Sequence, residues 1–257
     1  MKLLLILLVC INLFGFNQVH NNTSFNKAKK QMYMKVYKDK KETFYCKNPY
    51  EYRFNEKAKR KINWIYPDEK FYTPRNPITK KGDLNIRTQR IEAEHIFPAY
   101  NFGRQMTCWR DGDSSCVVKS GKKKGKKYKG RKCCIKVSRK FKLMQADLHN
   151  LVPAIGEVNA DRLNFRYMDT RSNLKGQYGQ CEMKVDFKER KAYPANYTKG
   201  MISRAYLYMI NTYDIKVSSS ELKLIKAWNK IYPVSEWEKI RNKRIYSIQG
   251  NKNPYVK

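Results

Sequence analysis

The chain has 257 residues, with 55 Lys plus Arg against 22 Asp plus Glu, a formal net charge of +33. Its 19 tyrosines and 11 phenylalanines supply core and stacking surface, which excludes a disordered cationic tail and allows one substantial core or two small ones. Such a charge fits a polyanionic partner, since each neutralised phosphate releases a condensed counterion; an adhesive cationic surface or a lysine-rich compositional bias accounts for it equally well.

Met1-Lys2 precedes an almost wholly apolar block from Leu3 to Phe16, followed by polar residues to Asn22. One basic residue before a short apolar block is the shape of a secretory leader, and the block is too short to span a bilayer comfortably. We expect residues 1–20 to be a signal peptide, with no crisp cleavage pattern near Gly15 or Val19, and residues 21–257 to form a single exported domain. Cys10 belongs to the leader, and His20 leaves with it or lies beside its end.

Six cysteines remain: Cys46, Cys108, Cys116, Cys133, Cys134 and Cys181. An even number in an exported chain points to disulfides. A zinc site competes poorly, because no Cys-x-x-Cys pair exists and adjacent Cys133-Cys134 is awkward for chelating one ion. Of fifteen connectivities, the one expected joins Cys46 to Cys181 and pairs Cys108 and Cys116 with Cys133 and Cys134 in either order.

Ser24 caps a helix carrying Phe25, Ala28, Met32 and Val36 at helical spacing. Residues 42–85 read as loops with short extended pieces. Leu84 to Phe97 is the best strand, stopped by Pro98. Gly121 to Gly130 (GKKKGKKYKG) reads as an exposed basic excursion bounded by cysteines. The C-terminal part is helical: Ile202, Ala205, Tyr206, Met209 and Ile210 share one face. Ser218 with Glu221 and Ser235 with Glu238 resemble capping boxes, and Gly250 ends the last helix. Trp228 and Trp237 read as packing residues.

Two segments carry chemistry. Glu92-Ala93-Glu94-His95 sets a carboxylate beside an imidazole, and Asp147 to Tyr167 (DLHNLVPAIGEVNADRLNFRY) gathers Asn, His, Asp, Glu and Arg. Between Val117 and Ala146 no acidic residue occurs. A carboxylate and an amide can hold a hard divalent cation, a histidine can take a proton from water, and an arginine can grip a phosphate. On an ideal strand Glu94 and His95 face opposite ways, so they serve one site only if the strand ends or bends there. In the second segment Asn150 reads as a helix cap and Pro153 as an early helical residue. Gly156 suits close packing, and Asn159 is either a ligand or a packing amide.

These stretches resemble the bacterial endonuclease I family of exported, sequence-nonspecific deoxyribonucleases. The resemblance runs through IEAEHIFPAYNFG, GRKCC, FKLMQADLHNLVPAIGEVNADRLNFRY, GQCEMKVDFKERK, AYLYM, AWNKIYPVSEWE and IQGNKNP, in order. It implies an α+β fold with a ββα-metal (His-Me finger) nuclease core, surrounding helices and a mainly helical C-terminal part. It further implies that His95 is the general base, that Glu94 and Asn159 hold one Mg²⁺, and that Arg131 contacts the phosphate. Mn²⁺ and Ca²⁺ accept the same oxygen ligands. The implied substrate is DNA, with RNA chemically compatible, the products carry 5′-phosphates, and the compartment is periplasmic or extracellular. No protein partner is implied, and no stable membrane insertion after the leader is removed. Two departures stand out: Gln145 replaces a frequent Glu, and a basic insertion runs from about Asp111 to Lys129. The competing expectation is a noncatalytic cationic DNA-binding or uptake protein on the same fold. A membrane-active protein fits less well, for want of a strongly amphipathic basic helix.

Overall fold

The computed structural model describes residues 19–55, 60–170 and 173–257. Positions 1–18 of the expected leader, Cys10 among them, lie outside the described residues. His20, expected at the leader's edge, is buried with Nε2 3.4 Å from Asp147 Oδ2.

Helix α1 (Phe25–Gln31) starts where Ser24 Oγ accepts from Lys27 N and continues as a wider π-type turn over Met32–Val36. Strands β1 (Glu51–Asn55) and β2 (Arg60–Trp64) form an antiparallel pair within the region read as loops with short extended pieces. The expected strand at 84–97 is shorter than its hydrophobic pattern: a 3₁₀ turn takes Ile86–Thr88, and β3 spans only Ile91–His95. Four short helices follow, α2 (Ala99–Gly103), α3 (Thr107–Arg110), α4 (Arg131–Val137) and α5 (Arg139–Ala146). The basic excursion between α3 and α4 is exposed and hairpin-like, with Val117 bridged to Lys127.

Strand β4 (Leu151–Ile155) runs antiparallel to β3, with His95 opposite Leu151 and Ala93 opposite Pro153. This corrects the helical reading of Asn150 and Pro153. Among the described residues the pair has no third strand, so the side of β4 turned from β3 needs no donor at proline; its carbonyl still accepts from Phe44 N at 2.8 Å. Asn150 caps no helix. Its amide accepts from Phe97 N at 2.7 Å and donates to Phe97 O at 2.9 Å, extending the ladder past the end of β3.

Helix α6 (Gly156–Arg162) begins directly after β4. A Cβ at Gly156 would come within 2.9 Å of Arg87 O, so only glycine permits this close approach, as the sequence suggested. Strands β5 (Arg166–Tyr167), β6 (Lys184–Asp186) and β7 (Lys191–Tyr193) form a small mixed sheet in the order β5-β7-β6. Three helices close the chain: α7 (Asn196–Tyr213), α8 (Ser219–Ile231) and α9 (Glu236–Gln249). Helix α7 is buried along Ile202, Ala205, Tyr206 and Met209. Ser235 and Glu238 form a reciprocal capping box, whereas Ser218 caps α8 without the return bond; Gly250 ends α9 at φ +82°. The architecture is α+β.

Three disulfides tie this frame: Cys46–Cys181, Cys108–Cys134 and Cys116–Cys133. The expected pairing holds, and its open order is thereby resolved. The two shorter bridges staple the base of the basic excursion to α3 and α4.

Candidate active site

Glu94, His95, Arg131 and Asn159 all line one open cleft of about 1200 Å³. Three elements deliver them: β3 carries Glu94 and His95, the start of α4 carries Arg131, and α6 carries Asn159. Alternation on β3 would send Glu94 and His95 apart, but His95 is the strand's last residue, so both reach the same cleft.

His95 is 7% exposed, and its Nε2 lies 2.9 Å from the backbone oxygen of Gln145. A carbonyl only accepts, so Nε2 carries the proton and Nδ1 keeps the lone pair. The ring stacks on Phe25 at 5.0 Å between centroids, with Phe102 edge-on at 6.3 Å. Burial, reinforced by the Arg131 charge, pulls its pKa down to about 3, so the imidazole is neutral at ordinary pH.

Arg131 reaches over Phe25, 5.3 Å from the ring centre, and donates to Gln145 Oε1 at 3.2 Å. No carboxylate among the described residues forms an ion pair with it. Gln145 thus contacts both the neutral imidazole and the cation of the site, His95 through its backbone and Arg131 through its side chain.

Glu94 is 4% exposed. Its Oε1 accepts from Tyr45 OH at 2.9 Å and from Arg162 Nη1 at 3.0 Å, which leaves Oε2 as the oxygen engaged by neither. Burial raises its pKa, with the Arg162 charge opposing. Arg162 is fully buried; it also donates to His95 O at 3.0 Å and Ile96 O at 2.7 Å, with Tyr167 under its guanidinium. An arginine of this motif therefore braces the end of β3 from inside and is no phosphate grip.

Asn159 Nδ2 donates to Glu92 Oε2 at 2.9 Å, so Oδ1 remains as the acceptor end of its amide. Glu92 is held by Arg87 and Arg90; burial would raise its pKa, but these two arginines outweigh it and lower it. Glu94 Oε2 and Asn159 Oδ1 both belong to this cleft and are oxygen donors of the type a hard divalent cation takes. Among the described residues there is no group of three or more His, Cys, Asp or Glu placed to hold a metal.

Sequence reasoning did not assign Glu92, Tyr45, Phe25 or Arg162. Period-two spacing from Glu94 points to Glu92, and i, i+3 spacing from Asn159 points to Arg162. No local signal marks Tyr45, 49 residues before Glu94. His149, the other histidine available for imidazole chemistry, is buried elsewhere, bonded to Asn251 O at 3.2 Å.

The family described as Endonuclease I matches residues 22–257. The chain is 39% identical to an extracellular deoxyribonuclease of Aeromonas hydrophila, over 98% of this chain and 96% of the relative. It is also 39% identical to a periplasmic deoxyribonuclease of the same organism, over 90% and 84%. An endonuclease-1 of Buchnera aphidicola subsp. Baizongia pistaciae is 39% identical over 92% and 84%. The chain belongs to the endonuclease I family.

Proposed function

We propose that the chain is an exported endodeoxyribonuclease that hydrolyses DNA phosphodiester bonds without sequence preference. One observation carries this reading: a neutral, oriented imidazole, an arginine with no carboxylate partner among the described residues, and two oxygen donors share a single cleft. Relatives named as extracellular and periplasmic deoxyribonucleases support the substrate and the compartment, as do the three disulfides. No helix among the described residues is long and apolar enough to cross a membrane.

In this reading β3, β4 and α6 form the ββα-metal core. His95 Nδ1 takes a proton from the attacking water, the new oxygen–phosphorus bond forms, and the bond from phosphorus to the 3′ oxygen breaks. One product ends in a 5′-phosphate, the other in a 3′-hydroxyl once that oxygen gains a proton. Arg131 offsets negative charge building on the phosphate, and Gln145 holds Arg131 and the imidazole in register. Glu94 and Asn159 would hold Mg²⁺, with Mn²⁺ or Ca²⁺ as alternatives; bound there, the ion supplies charge neutralisation at the phosphate. Arg162 and Glu92 fix which oxygen and which amide end are presented. RNA fits the same chemistry, because water-driven attack does not use the 2′-hydroxyl.

The test is digestion of supercoiled plasmid and of total RNA by purified protein, with Mg²⁺ or with EDTA. Nicking that requires the metal is expected. A gel shift with intact plasmid under every condition would favour a DNA-binding protein without catalysis.

A further inference from the structure

A second cleft, of about 950 Å³, adjoins the first and shares Tyr100 and Asn164 with it as common walls. Its lining carries the cations Arg104, Arg110, Arg166, Arg190, Lys191 and Lys216 against the carboxylates Glu189 and Glu221. Two of the cations are already matched: Arg166 faces Glu221 at 3.5 Å, and Lys216 pairs with Asp214. Arg104, Arg110 and Arg190 form no ion pair among the described residues.

Those three guanidiniums are nevertheless held. Arg104 lies over Tyr100 at 6.0 Å and Arg190 over Phe165 at 5.7 Å. Arg110 donates to Gln105 O at 2.8 Å and Arg104 O at 3.3 Å. Aromatic faces and carbonyls position them without cancelling their charge, which suits planar recognition of a phosphate diester. Tyr100 on the shared wall is 46% exposed and braced edge-on by Trp109 at 5.8 Å. An exposed, braced ring between a catalytic cleft and a cationic one is a platform for a nucleobase.

We propose that this second cleft is a phosphate-binding subsite for the DNA backbone beyond the scissile bond, with Arg104, Arg110 and Arg190 on phosphates and Tyr100 at the passage between the clefts. The ligand class rests on the nuclease reading above. The subsite accounts for grip without sequence readout, because backbone contacts position a nucleic acid and carry no base information.

The test compares Arg104→Gln/Arg190→Gln with Lys226→Gln/Lys230→Gln, a charge-matched pair on exposed α8 positions. Each pair is placed in a His95→Ala background, and duplex DNA binding is measured in EDTA across a NaCl series. The plot of log K against log salt should lose about two units of slope with the cleft pair and under about 0.5 with the α8 pair. In the His95-containing protein, the cleft pair should cut the preference for plasmid over bis(p-nitrophenyl) phosphate, as a ratio of kcat/KM, about tenfold. Equal slopes for the two pairs, or an unchanged ratio, would overturn the subsite. If the parent protein cleaves nothing, the nuclease reading fails, while the salt slopes still decide whether the cleft binds phosphate.

Discussion

The backbone oxygen of Gln145 sits 2.9 Å from His95 Nε2, while the side chain of the same residue accepts from Arg131 at 3.2 Å. Residue 145 therefore holds the His95 imidazole through its main chain and the Arg131 guanidinium through its side chain. These two functions separate by mutation. Gln145→Ala should keep the imidazole oriented but release Arg131, lowering kcat about tenfold, the scale of one hydrogen bond to a charged group. Steady-state kinetics on plasmid checks this. A drop as large as that of His95→Ala would mean that the side chain orients the base as well.

Arg162 and Glu94 form a buried ion pair, 0% and 5% exposed in their side chains. Removing one partner strands the other charge in a low-dielectric interior. Arg162→Met should therefore cost about 3–5 kcal/mol of stability, as breaking a buried pair does. Urea titration measures it, and a loss well below that range would show that Glu94 is solvated or protonated without its partner.

Burial pulls His149 down to about 4 and His95 down to about 3, from the ordinary 6.5. Between 6.5 and these values the unfolded chain binds more protons than the folded one, so stability rises with pH across that window. The contribution is full above about 6.5 and is lost as pH falls toward 4 and then 3, at up to about 1.4 kcal/mol per pH unit for each ring. Thermal melts from pH 7 to pH 4 should show a steady fall in Tm. A flat profile would contradict neutral burial of both rings.

The Cys46–Cys181 bridge closes a separation of 135 residues, against 26 and 17 for the other two. Chain-entropy arguments assign about 5 kcal/mol to the long loop and about 3 kcal/mol to each short one. Cys46 also neighbours Tyr45, whose hydroxyl holds Glu94. Cys46→Ser/Cys181→Ser should thus lower Tm more than Cys116→Ser/Cys133→Ser and raise the Mg²⁺ concentration needed for half-maximal cleavage. Calorimetry with a metal titration tests both, and an equal Tm loss for the two pairs would contradict the ordering.

Much of the site is readable along the chain because its residue types are unusual where they stand. A carboxylate beside an imidazole at a strand end, and an amide in a short helix, are poor choices for folding alone, and all three line the cleft. The cysteine pairing was readable to within one ambiguity, since adjacent Cys133 and Cys134 differ only in the direction they face. Strand β4 was not readable. Its five residues, Leu151 to Ile155, are all buried, so the alternation that marks a half-exposed strand is missing, and Asn150 with Pro153 imitates a helix start. The buried work of Arg162 was hidden for a related reason: exposed and interior arginines look alike until packing places them.

The central claim is that His95 is the base that activates water. The most direct measurement is plasmid nicking in Mg²⁺ by His95→Ala beside the parent protein, with DNA binding followed in parallel. General-base loss predicts a fall of roughly 10²–10⁴-fold in cleavage, with the duplex still bound. Cleavage within tenfold of the parent by a variant that binds DNA normally would contradict the account.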